Sequence, residues 1–136
     1  LVNSYDQLKY FGIKLTEKQS KILQKFWPDR VSIILSCKNK KFEYIHRGTY
    51  SIAFRMIGRK NRNLFTLINK VGPLVAPSAN LQGENPARNI LEAKKYFKDK
   101  IDLYINNGEM NCCPSALLSL LDENIKILRK GELKIE

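Results

Sequence analysis

The sequence predicts a single mixed α/β domain. Three observations lead there. Segments with apolar residues at helical spacing alternate with short runs rich in β-branched residues. Capping residues and proline or glycine breakers fall at the joins between them. The chain has 136 residues, 43% of them hydrophobic, which is enough for one core and short for two.

The elements follow in order. Thr16 and Gln19 have the spacing of a capping box, and Ile22, Leu23 and Phe26 recur at helical spacing behind it. Trp27-Pro28 ends that helix, because proline lacks an N–H and restricts the residue before it. Residues 31–35 read as a strand. Residues 51–57 alternate as a second strand. Ile52, Phe54 and Met56 lie on its expected core face, with Ser51, Ala53, Arg55 and Ile57 on the other. Asn61 caps a helix that runs to Val71 and is closed by Gly72-Pro73. Residues 74–76 are expected as a short strand leading into a turn at 77–80. Asn89 opens a helix through Phe97, with Glu92 in its first turn. Residues 101–105 are strand-like, ending at Asn106-Asn107-Gly108. Residues 116–121 and 125–128 read as a hairpin across 122–124. The expected order is helix, strand, strand, helix, strand, helix, strand, strand, strand.

Charge adds a functional hint. Lys plus Arg number 24 and Asp plus Glu 13, giving a formal net charge of +11. Such a chain attracts polyanions, although lysines spread along a solvated surface give the same total. No apolar run approaches the length of a membrane span, and no secretory leader is visible, so a cytoplasmic setting is expected. The chain starts close to a helical segment, as though part-way through a larger unit.

Several chemistries are set aside by residue type. The chain has 3 cysteines and 1 histidine, too few and wrongly spaced for a zinc site. Cys37, Cys112 and Cys113 read as buried or idle thiols. His46 lies in a polar stretch and is expected to be exposed. One histidine supports no Ser/His/Asp set, and neither Gly-rich nucleotide fingerprint occurs. No acidic pair is spaced for a metal, so no metal ligand is assigned, and no catalytic nucleophile or base is named.

What remains is a set of polar residues at strand ends: Arg55, Ser78, Asn80, Ser115 and Arg129. Ligands of α/β proteins collect at such ends. Arginine forks match phosphate or carboxylate, and serine hydroxyls and turn N–H groups hold phosphate oxygens. Taken singly, each reads first as structural: Arg55 as a salt-bridge partner, and Ser78 and Asn80 as plain turn residues.

The motifs together resemble the YrdC/TsaC family, the threonylcarbamoyl-AMP synthases of tRNA modification. "GPLVAPSANLQGENPAR" is similar to the family signature. "QKFWPDRVSIIL", "SIAFRM", "CPSALLSL" and "ILRKGEL" resemble four more family stretches and occur in the family's order. The resemblance covers essentially all of residues 1–136 as one YrdC-like domain. It implies a twisted mixed sheet with flanking helices around a concave basic pocket. It also implies a nucleotidyltransferase reaction. L-threonine, bicarbonate and ATP, the last with Mg²⁺, give threonylcarbamoyl-AMP and pyrophosphate. Partner proteins then transfer the threonylcarbamoyl group to adenosine 37 of tRNA.

Carried over by position, the resemblance implies that Ser51, Ser78, Asn80 and Arg129 contact ATP. It implies that Arg55, Ala76 and Ser115 contact threonine. There are departures. The family's P-T-x-T and K-x-R-P segments, which grip the triphosphate, fall ahead of the matched region, so the domain is expected to be N-terminally incomplete. The W-P-G-P turn is Trp27-Pro28-Asp29-Arg30 here. Ala116 stands for the threonine of P-S-T, and Ser119 for the aspartate after it. These departures, with the basic charge, leave two alternatives: a non-catalytic RNA-binding module or a decayed paralogue.

Overall fold

The computed structural model describes residues 1–110, 113–122 and 124–133. Its described strands form a mixed sheet of β1 (Val31–Ser36), β2 (Ser51–Arg55), β3 (Ala116–Ser119) and β4 (Lys126–Arg129). The order is β2-β1-β3-β4. β1 runs antiparallel to β2 and parallel to β3, and β3 runs antiparallel to β4. The mixed α/β class is therefore as the sequence predicts. Glu123, in the expected turn, lies outside the described residues.

Pleating divides this sheet into two unlike faces. Val31, Ile33 and Leu35 alternate inward with Phe54, Ala116 and Leu118, all buried. The opposite face carries Ser32, Ile34, Ser115, Leu117 and Ser119, none of them buried. A sheet solvated on one face reads as alternation in sequence, which is why β1 and β2 were legible.

Helices cover the buried face. α1 (Tyr5–Tyr10) is one the sequence analysis did not anticipate; it is too short for periodicity to register. Ser4 caps it and it buries Leu8. α2 (Glu17–Phe26) has the expected capping box: Gln19 N–H donates to Thr16 Oγ1 at 3.2 Å, and Thr16 N–H to Gln19 Oε1 at 3.0 Å. Its Leu23 is fully buried in the core. Trp27 stops the helix, and its ring N–H donates to the Val31 carbonyl at 2.9 Å, fixing the approach to β1.

Between β1 and β2 a 3₁₀ turn (Lys40–Phe42) leads into the short helix α3 (Glu43–His46). Phe42 packs on Phe11 with ring centroids 4.5 Å apart, and Phe11 on Phe54 at 5.0 Å. His46, expected to be exposed, is only 3% exposed. The single turn of α3 brings its ring against Tyr50, with centroids 5.3 Å apart, and its Nδ1 accepts from Gly48 N–H at 3.2 Å. Polar neighbours in sequence gave no sign of this packing.

Beyond β2 the alternation fails for Ile57, expected on the open face but buried. The ladder with β1 ends at Arg55, so the strand period does not govern Ile57. Val2 bonds this segment instead: Val2 N–H donates to Arg55 O at 3.0 Å and Ile57 N–H to Val2 O at 2.8 Å. α4 (Arg62–Val71) is capped by Asn61 as expected, and Gly72 ends it at φ +87°. Residues 74–76, expected as a strand, form none; Leu74 N–H donates to Leu1 O at 3.0 Å without a ladder.

The chain divides into two units, Leu1–Val75 with Pro114–Glu136, and Ala76–Cys113. The second contains α5 (Ile90–Phe97), followed by a 3₁₀ turn (Lys98–Lys100). Asn89 caps α5 as expected, its side chain accepting from Glu92 N–H at 3.0 Å. Residues 101–105, expected as a strand, are irregular, and Leu103 and Ile105 are 71% and 75% exposed. β-propensity without a paired neighbour does not make a strand. Of the three thiols, Cys37 is buried and Cys113 exposed, and Cys112 lies outside the described residues.

Candidate functional site

The open face of the sheet gathers the polar residues of the first unit. Register pairs Arg55 with Ser32, Ser32 with Leu117, and Leu117 with Arg129. The four therefore lie in one row across all four strands, with an arginine at each end. Three interstrand steps separate the two arginine backbones by about 14 Å. Ser51 shares the face with Arg55, four residues or about 13 Å along β2. Ser51 Oγ donates to Thr49 Oγ1 at 3.3 Å.

Ser115 joins the row from the approach to β3. Its hydroxyl and that of Ser32 lie 3.0 Å apart, within hydrogen-bond reach. Its main-chain carbonyl accepts from Arg129 Nε at 2.8 Å. That bond fixes the root of the Arg129 fork, and no further bond of its guanidinium is found among the described residues. Ser32 was not singled out in the sequence; the alternation of "VSIIL" was the signal that could have found it.

A bulge puts Arg129 on this face. Ser119 pairs with Lys126 and Leu118 with Ile127, but Leu117 pairs with Arg129, so Leu128 is the extra residue. Without it the count would pair Leu117 with Leu128 and send Arg129 to the opposite face. Gly131 then turns at φ +55°, where an added Cβ would lie 2.5 Å from the Ala116 nitrogen. The glycine of "LRKGEL" is there because the chain passes against β3 at that point.

The second unit holds Ala76, Ser78 and Asn80 on a loop of its own. Ala76 and Ser78 are exposed and Asn80 is half-buried. The Asn80 amide donates to the carbonyls of Leu81 at 2.9 Å and Glu84 at 3.0 Å, while Ala87 N–H donates to Ala79 O at 2.8 Å. Asn80 thus staples its own loop. Its Oδ1 is buried with no hydrogen-bond donor among the described residues, leaving an acceptor to spare. At α5 the Glu92 carboxylate accepts from Arg88 N–H at 2.9 Å. That bond is the first cause holding its carboxyl below the ordinary range.

Hydrogen-bonding groups dominate this set. Among the described residues no three His, Cys, Asp or Glu side chains gather to hold a metal ion. No described helix is long and apolar enough to cross a membrane. In the first unit the arrangement suits recognition of anions by arginine forks and hydroxyls.

The sequence pattern of the Sua5/YciO/YrdC family, described as "Telomere recombination", matches residues 1–131. The chain belongs to this family. It is 26% identical over 137 residues to a threonylcarbamoyl-AMP synthase of Pyrococcus abyssi, covering 99% of this chain and 40% of that protein. It is 31% identical over 113 residues to a threonylcarbamoyl-AMP synthase of Photorhabdus laumondii, covering 81% of this chain and 58% of the relative. The crystal structure of P. abyssi Sua5 complexed with L-threonine matches with a TM-score of 0.83 at 25% identity, covering 97% of this chain and 39% of that one. E. coli YciO shares the fold, with a TM-score of 0.84 at 18% identity over 100% of this chain and 66% of that one. The chain thus spans 40% and 58% of the lengths of the two curated relatives.

Proposed function

We propose that this domain supplies part of the pocket of a threonylcarbamoyl-AMP synthase acting in tRNA modification. The observation that carries the reading is the row from Arg55 through Ser32 to Arg129 on the open sheet face. A face about 13 by 14 Å, flanked by arginines, is of a size to take a nucleotide and an amino acid together. In the first unit Arg55 pairs with the threonine carboxylate and Ser115 is a threonine contact; in the second, the resemblance makes the Ala76 main chain a threonine contact. Arg129, Ser51, Ser78 and Asn80 hold ATP. Mg²⁺ accompanies the triphosphate and neutralises part of its charge.

In this reading the threonine amine and bicarbonate condense to a carbamate with loss of water. A carbamate oxygen then attacks the α-phosphorus of ATP. The bond to the bridging oxygen breaks, and pyrophosphate leaves with that electron pair. The domain's residues contribute position and charge neutralisation, so no side-chain nucleophile is required. Partner proteins then carry the threonylcarbamoyl group to tRNA in the cytoplasm. The groups that grip the triphosphate belong, in this proposal, to a segment outside residues 1–136.

The test is pyrophosphate release by the protein, measured with ATP, L-threonine and bicarbonate. Release that requires all three substrates, and is lost in Arg55→Ala, supports the reading. Release independent of threonine overturns it. Full activity from residues 1–136 alone would remove the need for an outside segment.

A further inference from the structure

The second unit carries, in the loop that follows α5, a residue pair with a chemistry of its own. Asn107 precedes Gly108, and nowhere else in the sequence does glycine follow asparagine. In such a pair the glycine main-chain nitrogen can attack the asparagine side-chain carbonyl. Glycine is the neighbour that allows it, because no Cβ crowds the approach. Asn106, Asn107 and Gly108 are all exposed, so water reaches the atoms involved. Gly108 sits at φ +78°, and an added Cβ there would meet nothing within 4 Å.

Both reacting groups are held by neighbours. Gly108 N–H donates to Asn106 Oδ1 at 3.0 Å, the bond of an asparagine to the main chain two residues on. The Asn107 amide donates to the Met110 sulfur at 3.9 Å. Met110 N–H donates in turn to the Arg88 carbonyl at 2.7 Å, closing the loop onto the entry to α5. The first of these bonds bears directly on rate. The Gly108 nitrogen attacks only after losing its proton, and then it has nothing to donate to Asn106. Oδ1 therefore stabilises the resting amide and not the attacking one.

We propose that Asn107 is a self-modification site, deamidating through Gly108 at a rate that Asn106 restrains. The Gly108 nitrogen gives up its proton to water and bonds to Asn107 Cγ. The Cγ–Nδ2 bond breaks, and ammonia leaves with that electron pair and one proton from solvent. The product is a five-membered succinimide. Water opens it at Cγ to give aspartate, or at the main-chain carbonyl carbon to give isoaspartate. The sum is asparagine plus water going to aspartate or isoaspartate plus ammonia, with nothing oxidised or reduced. Either product adds a negative charge to the loop. Isoaspartate also lengthens the main chain by one carbon ahead of Met110, so the Met110–Arg88 bond is the contact it disturbs. None of this rests on adenylate formation.

The test is peptide mass spectrometry of the protein after incubation for up to four weeks at 37 °C and pH 8, with isoaspartate methyltransferase labelling to tell the two products apart. Deamidation should concentrate at Asn107. Asn106→Ala removes the acceptor and should speed the loss of Asn107 about 3- to 10-fold, the worth of one hydrogen bond to the main chain. Asn106→Asp keeps an acceptor and should stay at or below the parent rate. In 8 M urea, where the loop is lost, the parent and Asn106→Ala should deamidate at one rate. Hydrogen exchange at Met110 should quicken in the isoaspartate form. These side chains are exposed, and unchanged thermal melts will show that the variants fold. The proposal is overturned if Asn107 stays intact through the incubation. It is equally overturned if folded Asn106→Ala keeps the parent rate, or if the two proteins still differ in urea.

Discussion

Arg129 reaches across the β3–β4 hairpin and donates from Nε to the main-chain carbonyl of Ser115, 2.8 Å away. Lysine keeps the charge but offers neither the Nε donor nor the fork. Under the proposed function, Arg129→Lys should raise KM for ATP and lower kcat/KM by roughly 10- to 100-fold, the worth of a charged hydrogen bond. Because Arg129 is exposed, its melting temperature should barely move. Unchanged ATP kinetics would remove Arg129 from the nucleotide site.

Arg55 stands at the other end of the row, half-buried on β2. Under the proposed function, Arg55→Lys should act on threonine rather than ATP, because lysine cannot make the proposed bidentate pairing with its carboxylate. A rise of about tenfold or more in KM for threonine is expected. Steady-state kinetics with each substrate varied in turn will separate this from the Arg129 effect.

Gly131 should tolerate no side chain. At φ +55°, with the Ala116 nitrogen 2.5 Å from an added Cβ, Gly131→Ala meets both backbone strain and a steric clash. A loss of about 1–3 kcal/mol is expected from the strain alone. Urea unfolding of parent and variant measures it.

Asn80→Asp replaces the amide that bonds two loop carbonyls with oxygens that cannot donate. The loop at 80–84 should open, at a cost of about 1–3 kcal/mol. Faster hydrogen exchange at Ala87, whose amide closes the loop onto Ala79, is the readout.

Glu92 sets a pH dependence for the second unit. Its carboxyl is held below the ordinary value of 4.5, first by the Arg88 N–H. A depressed folded pKa contributes stability that is present above the unfolded value and lost as pH falls through the folded one. Fraying of α5 should therefore begin below about pH 4.5 and deepen as acid is added. Glu92→Gln should remove that dependence, as followed by the Arg88 and Glu92 amide resonances.

Much of the fold was legible because its signals are local. The Thr16 box, the Asn61 and Asn89 caps and the alternation in β2 each need only a few neighbouring residues. What escaped depends on distant partners. The apolar runs at 74–76 and 101–105 carry strand composition but acquire no ladder. His46 packs against Tyr50, four residues on, through a turn whose left-handed residues include an arginine and a tyrosine as well as Gly48. Of the site, the arginines and serines could be noticed as residue types, but their common row needed the register. The alternation of β1 could have put Ser32 on the open face, but its place between the arginines needed β1 paired on both sides.

The extra residue at Leu128 gives the end of this chain an odd-or-even character. Two relatives with the same letters around Arg129, differing by one residue between Ile127 and that arginine, would show opposite sides of the same strand. Gaps in this short stretch therefore carry meaning that substitutions do not. In sorting relatives of this domain, the length of the segment between Ile127 and Arg129 is as informative as the arginine itself.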